Sequence, residues 1–533
     1  MSLRKTALAL AASALVLTGC SGAPAPSAPG TTSPSAPGTS PTESAPTSTA
    51  TGTLTYVISS DPTSLNPINT SDRWGLTTTN IVYSPLAHVQ VDGTVVPDLA
   101  ESIEPAEDGL SVTVKLKSGI IWSDGEALDA DDVVFTYTNK AVRENGNADL
   151  LWVGDQPIKA VKVDDLTVRF ELPSFSAAAI SNIATETYII PEHVYSGVTD
   201  FSVAELDPIA VGSGPYKLVE YKRGEYLRFE ANESYHGGKP AIANLILRIV
   251  SNADTVKAAL QTGEVDASFV TPQQIADLAN SPIAIHAYPE GRVAYVGVVV
   301  PKVSDVKARQ ALFFALNRDD LNKAAYLSEE YFQNAYSILP PSNQFATTEL
   351  ESYAQNVDKA KQLLAEAGAE GLKLTLGYAG ADPAQTIQAT LIQQQAAAVG
   401  ITVELAGVEP GAVYSEIQKG ADSAYDLFIG GYIMGIEPDA YSLLFRTGAS
   451  ANYFTYSNPA TDALFDQGIA AKDLTERKAI YADLQRQIAD DAIFFPIADN
   501  LKLLAVNDRI GGVEDARPAP IYTLENFGLL TEK

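Results

Sequence analysis

DKAKQLLAEAGAEGLKLTLGYAGADPAQTIQATLIQQQAAAVGITVELAGVEPGAVYSEIQKGADSAYDLFIGGY, from Asp358 to Tyr432, is the stretch that decides the fold. A helix bearing Leu363, Leu364 and Ala367 stops at Gly368, and Leu372, Leu374 and Leu376 then alternate as a strand. A long Ala/Gln helix from about Ala384 ends at Gly400, the strand Ile401, Val403, Leu405 follows, and a short helix near Gly420 leads into the strand YDLFIG from Tyr425. Strands separated by helices of this length predict right-handed crossovers and a largely parallel sheet. In such sheets ligands sit beyond the carboxyl ends of the strands, which directs attention to the loop Gly431-Tyr432-Ile433-Met434-Gly435-Ile436-Glu437-Pro438-Asp439. Gly430, Gly431 and Gly435 would let a ligand approach the backbone closely.

N-terminal to this stretch the pattern is mixed. Leu54, Tyr56 and Ile58 alternate as a half-buried strand, as do Val112, Val114 and Leu116. The turn Trp122-Ser123-Asp124-Gly125 precedes an acidic helix start at Asp129, Asp131 and Asp132, where carboxylates suit the positive end of the helix dipole. Hairpins are predicted from Ile158 to Leu172, turning at Asp164-Asp165, and from Tyr216 to Phe229, turning at Lys222-Arg223-Gly224. A strand through Leu245, Leu247 and Ile249, a helix from about Asp254 to Gln261 ended by Gly263, and a strand through Val265 and Phe269 follow.

The chain opens with Arg4 and Lys5, an apolar run from Ala7 to Leu17, and Leu17-Thr18-Gly19-Cys20, which contains the one cysteine of 533 residues. That order is a bacterial lipoprotein signal, and the run is shorter than the roughly 20 residues a bilayer span needs. Cleavage after Gly19 would leave Cys20 at the new N-terminus to carry acyl chains, each methylene contributing about 0.8 kcal/mol of membrane affinity. Residues 21–52, rich in Pro, Ser, Thr and Ala, form a tether that cannot bury apolar area. The expected location is therefore the outer face of the cell membrane, with a lipid anchor.

Lys and Arg number 36 against 65 Asp and Glu, a net charge of -29, which becomes 34 minus 65, or -31, once Arg4 and Lys5 are lost. Such a field repels phosphate backbones and argues against nucleic acid as a partner. The four histidines, His88, His193, His236 and His286, lie tens of residues apart with no HExxH or CxxC, so no metal site is predicted. Gly212-Ser213-Gly214-Pro215 fits neither a nucleophile elbow nor a phosphate loop and reads as a tight turn. The adjacent pairs Asp131-Asp132 and Asp490-Asp491 point apart on a helix. No catalytic residue, cofactor or enzyme activity is expected.

Several strings together resemble the extracytoplasmic solute-binding proteins of ABC importers, in the family that serves dipeptides, oligopeptides, nickel chelates and some opines or sugars. They are PDLAESIEPAEDGLSVTVKLKSGIIWSDGEALDADDVVFTY from Pro97, GSGPYKLVEYKRGEYLRFEANESYHGGKP from Gly212, ALQTGEVDASF from Ala259, RVAYVGVVV from Arg292, DVKARQALFFALNRDDL from Asp305, and YDLFIGGY with EPDAYSLLF. The resemblance implies an α/β, two-lobed periplasmic-binding-protein-like fold (class II, cluster C) with an extra inserted domain. It places lobe I at 53–88, 187–285 and 500–533, the inserted domain at 89–186, and lobe II at 286–499.

Members that bind peptides resemble this chain in the loop after YDLFIG but carry an aspartate for the peptide ammonium where Gly435 stands, and a tryptophan where Tyr432 stands. Some tripeptide binders have an arginine where this chain has Ile429. On the resemblance the ligand-binding set is Trp74, Tyr295, Gly431, Tyr432, Ile433, Met434, Gly435, Glu437, Asp439, Asn452 and Tyr453, with Glu437 or Asp439 replacing the missing aspartate and Tyr441 and Phe445 adding aromatic faces. It implies a monomer that delivers a small solute to permease subunits driven by a cytoplasmic ATPase. An oligopeptide or dipeptide is the favoured solute, and an opine, glycoside or nickel chelate is the alternative.

Overall fold

The computed structural model of the chain describes residues 50–90, 92–184, 187–204, 211–518 and 524–533. The signal, Cys20 and the tether up to residue 49 lie outside the described residues. Thr51 and Gly52, expected as the tether's end, already belong to the strand Thr51–Ile58, in which Thr51 pairs with Ile242.

That strand is paired in parallel on both edges, to Ile242–Ile249 and Ala267–Val270. A strand flanked on both edges and covered on both faces needs apolar side chains pointing both ways, and Tyr56, Val57 and Ile58 are all buried. It lies fourth in a seven-stranded sheet ordered Tyr216–Lys222, Tyr226–Ala231, Ile242–Ile249, Thr51–Ile58, Ala267–Val270, Lys502–Asn507, Ile283–Tyr288. The helix Ala253–Thr262 connects two of these strands. Asn252 caps it by accepting the Thr255 N–H, and Gly263 ends it at φ +73°, a left-handed conformation in which glycine carries no Cβ penalty.

The second sheet has six strands in the order Phe332–Asn334, Phe494–Asn500, Arg292–Val298, Leu427–Ile433, Lys373–Ala379, Thr402–Val408. Lys373–Ala379 runs parallel to both Thr402–Val408 and Leu427–Ile433, with the helix Pro383–Ala397 between the first two in sequence. The expected largely parallel sheet holds only for this trio. Arg292–Val298 pairs antiparallel with Leu427–Ile433 and with Phe494–Asn500. The reason is connectivity: those two strands are the chain's entry from and return to the first sheet, not products of local strand-helix-strand crossovers. One apolar core lies on each face of this sheet, one around Leu312, Phe313 and Leu376, the other around Tyr295, Phe428 and Phe494.

A four-stranded antiparallel sheet, Ala100–Pro105, Ser111–Leu116, Thr167–Glu171, Lys159–Asp164, carries the helix Ala130–Lys140. Asp129 and Asp132 form a reciprocal capping box at the start of that helix. Trp122 is fully buried; its Nε1 donates to Asp132 at 3.1 Å, and Asp132 also accepts the backbone N–H groups of Asp129 and Glu192. Trp122→Phe should therefore cost about 1–2 kcal/mol, with the lost donor felt more than the lost area, checked as a lowered thermal midpoint. The apolar core of this small sheet is continuous with that of the seven-stranded sheet, from Leu54 and Tyr56 through Trp122 to Phe170.

Gly212-Ser213-Gly214-Pro215 is a structural bend. A Cβ at Gly214 would stand 2.7 Å from the Ile81 carbonyl, and Ser213 Oγ accepts the Ser84 N–H. Two segments join the large sheets: Pro289-Glu290-Gly291 between Ile283–Tyr288 and Arg292–Val298, and Leu501 between Phe494–Asn500 and Lys502–Asn507. His286 pairs with Leu504 in the first sheet, and Asn500 pairs with Phe332 in the second. Among the described residues no helix is long and apolar enough to cross a membrane.

Candidate functional site

The loop that follows the strand Leu427–Ile433 lies against a cavity of about 290 Å³ where the sheets and the small domain meet. Ile433, Met434, Gly435 and Glu437 supply one wall. Ala87, His88, Val89 and Glu525 supply a second, Asn147, Leu150, Asn182 and Ala184 a third, and the crossing residues Glu290 and Gly291 also line it. Gly435 has φ +71° and open space where a side chain would stand, so the loop turns there without obstructing the cavity.

Glu437 links two parts of the molecule. Its Oε1 accepts from Ser181 on the helix Ala179–Ala184 at 2.6 Å, and its Oε2 meets Arg477 on the helix Leu474–Asp490 at 2.7 Å. Arg477 is 7 % exposed, donates its Nε to the Gly468 carbonyl, and stacks over Phe345 and Tyr481. Glu437 is thus already charge-compensated. Asp439 lies behind it, outside the cavity wall; burial raises its carboxyl to about 6, with Arg477 opposing and Glu437 adding to the shift.

The crossing segments are dense in charge. Glu290 pairs with Arg73 and lies 3.7 Å from Lys502, and Arg292 donates to Asn500 Oδ1 at 2.9 Å. Burial holds Lys502 below its ordinary value. His88 is the histidine of the second wall; its Nε2 and that of His236 donate to the two oxygens of Asp98 at 3.1 and 2.5 Å. Burial alone would raise that carboxyl, but the two imidazoles hold it well below the usual range. These histidines are 148 residues apart in the chain, 88 to 236, and converge on one acid without forming a metal cluster among the described residues.

Several expected site residues lie elsewhere. Tyr295 is 1 % exposed and stacks on Phe494 with ring centroids 4.4 Å apart, beneath the second sheet. Tyr432 donates its hydroxyl to the Ile338 carbonyl at 2.6 Å, and Tyr441 and Phe445 are buried with it in the same aromatic core. Gly430 and Gly431 admit this chain's own Tyr295 ring and Arg292 guanidinium, not a ligand. Asn452 spends its amide on Arg446 and Tyr456 backbone groups, and Tyr453 packs on Tyr414. Trp74 donates to Ser59 Oγ at 3.0 Å on the first sheet's side, outside the walls. Ile429 is a core residue at 2 % exposure. Strand alternation says that a side chain is buried without saying whether core or ligand buries it.

The wall residues absent from the expectation, His88, Asn147, Asn182, Glu290, Asn343, Leu443 and Glu525, come from segments hundreds of residues apart. No local pattern marks them.

The family model "Bacterial extracellular solute-binding proteins, family 5 Middle" matches residues 94–454. The chain belongs to this family. Among curated relatives of this family-5 chain, the oligopeptide-binding protein AppA of Bacillus subtilis is 26% identical over 503 residues, covering 88% of this chain and 90% of AppA. The dipeptide-binding protein of Escherichia coli is 28% identical over 494 residues, covering 86% and 91%. The solved structure of the ABC transporter substrate binding protein CtaP from Listeria monocytogenes superposes with a TM-score of 0.87 at 36% identity, covering 91% of this chain and all of CtaP. The α/β, two-lobed fold with an extra domain is that of the family, and the family-5 proteins are extracytoplasmic solute-binding components of transport, not enzymes.

Proposed function

We propose that this chain captures a peptide outside the membrane and delivers it, as a monomer, to permease subunits driven by a cytoplasmic ATPase, while held to the membrane by a lipidated Cys20 and the tether that follows. The observation that carries the reading is the cavity between the lobes, whose walls combine apolar side chains with the amides of Asn147 and Asn182 beside the loop Ile433–Glu437. Amides and exposed loop backbone can hold a peptide main chain, while apolar walls take its side chains without reading them closely. The oligopeptide- and dipeptide-binding relatives, matched over most of their length, support the same choice. Closure of the lobes around the solute excludes water and strengthens each polar contact.

A thermal-shift screen against peptides of two to ten residues tests the reading. A peptide present at 100 times its dissociation constant stabilises the folded chain by about 2.7 kcal/mol. The expected result is a clear rise in the melting midpoint with peptides and none with opines, glycosides or nickel chelates. The reverse pattern refutes it. Palmitate labelling that survives in Cys20→Ser would refute the anchor.

A further inference from the structure

Three carboxylates, Glu290, Glu437 and Glu525, stand in the cavity walls, and among the described lining residues there is no lysine or arginine. The cations that balance these acids are placed behind the walls. Arg73 and Lys502 face Glu290, Arg477 faces Glu437, and Arg517 faces Glu525 at 3.2 Å. None of the four cations lines the cavity. The one basic ring in the wall, His88, is tied through Nε2 to Asp98, which also takes His236.

An anion enclosed here would leave water and meet no free counter-ion, only carboxylate oxygens whose cations are already engaged behind the wall. Burying an unpaired carboxylate is among the most expensive substitutions of environment a polar group can undergo. An ammonium or a neutral amide escapes that cost, since the wall acids and loop backbone can accept from it.

Resting on the peptide reading above, we propose that this cavity excludes carboxylates: the enclosed part of the solute is neutral or cationic, and a peptide's C-terminal carboxylate lies outside the cavity or is absent. Short peptides with both ends enclosed are then poor solutes, and longer or C-terminally blocked ones are good.

The test is calorimetric titration of the full chain, at pH 7 and 150 mM salt, with leucyl-valine, its C-terminal amide, and one nonapeptide in free-acid and amide forms. The expected result is at least tenfold tighter binding of the dipeptide amide than of the dipeptide acid, with the two nonapeptides alike. The nonapeptide pair controls for attraction of the extra positive charge by the acidic protein as a whole. Free dipeptide binding as tightly as its amide overturns the proposal and leaves peptide capture standing. Failure of all four peptides overturns peptide capture itself, and this inference with it.

Leu443 gives a second readout, because it lines the cavity and is 45% exposed, so Leu443→Lys leaves the core intact. That variant should narrow the acid-amide gap at least threefold by supplying the missing cation. An unchanged gap overturns the proposal.

Discussion

Arg477→Met is expected to destabilise the chain by ~3–5 kcal/mol, read as a lowered urea midpoint, because it leaves Glu437 partly buried without its cation. The methionine retains much of the packing over Phe345 and Tyr481, so the loss reports charge more than volume. Adding Glu437→Gln should recover most of it, since an amide can still accept from Ser181 and carries no orphaned charge. If the double variant is no better than the single one, the ion pair is not what Arg477 contributes. Because Glu437 also faces the cavity and bonds across to the small domain, the single variant should weaken solute binding as well as stability.

Asp499→Asn should stabilise the protein at neutral pH and do almost nothing at pH 4. Asp499 is fully buried, with no side-chain donor or cation paired to its carboxylate among the described residues. Burial pushes its carboxyl up to about 7, with Glu290 adding and the Arg292 backbone N–H and guanidinium opposing. In the unfolded chain an aspartate releases its proton near pH 3.9. Between those values the folded state holds a proton the unfolded state has lost, so stability falls as pH rises from about 4 to 7 and levels off above. The whole penalty is roughly 4 kcal/mol, about 1.36 kcal/mol for each pH unit between the two pKa values. Asparagine is neutral throughout and abolishes that slope. Denaturation midpoints at pH 4, 6 and 8 check it, and parallel pH profiles for the two proteins would show that Asp499 does not titrate in this window.

Both predictions concern acids whose importance no short window of sequence discloses. Glu437 was within reach of sequence reasoning because it follows a strand end in an α/β sheet, where ligand loops occur. Its partners Ser181 and Arg477 lie 256 and 40 residues away. Asp499 reads in sequence as the polar end of an apolar strand, and only the antiparallel pairing with Val293 and Gln333 encloses it.

The sequence by itself determined the elements. Period-two alternation placed the strands through Leu54, Tyr56 and Ile58 and through Val112, Val114 and Leu116, and the acidic start at Asp129, Asp131 and Asp132 began a helix. Glycine at positive φ ended the helix before Gly263, and alternation of strand and helix made Lys373–Ala379, Thr402–Val408 and Leu427–Ile433 a parallel trio. These are local consequences of side-chain periodicity and backbone freedom, which a window of ten or twenty residues contains. Only the tertiary structure decided which strands enclose that trio, that the small sheet shares its core with the seven-stranded one, and which side chains face the cavity. A buried tyrosine in a core and one against a ligand obey the same alternation, so Tyr295 and Tyr432 could not be told from wall residues until their ring and hydrogen-bond partners were in place. The cavity's charge, three acids with every counter-cation behind the wall, depends on residues spread from Arg73 to Glu525 and exists only once the chain has folded.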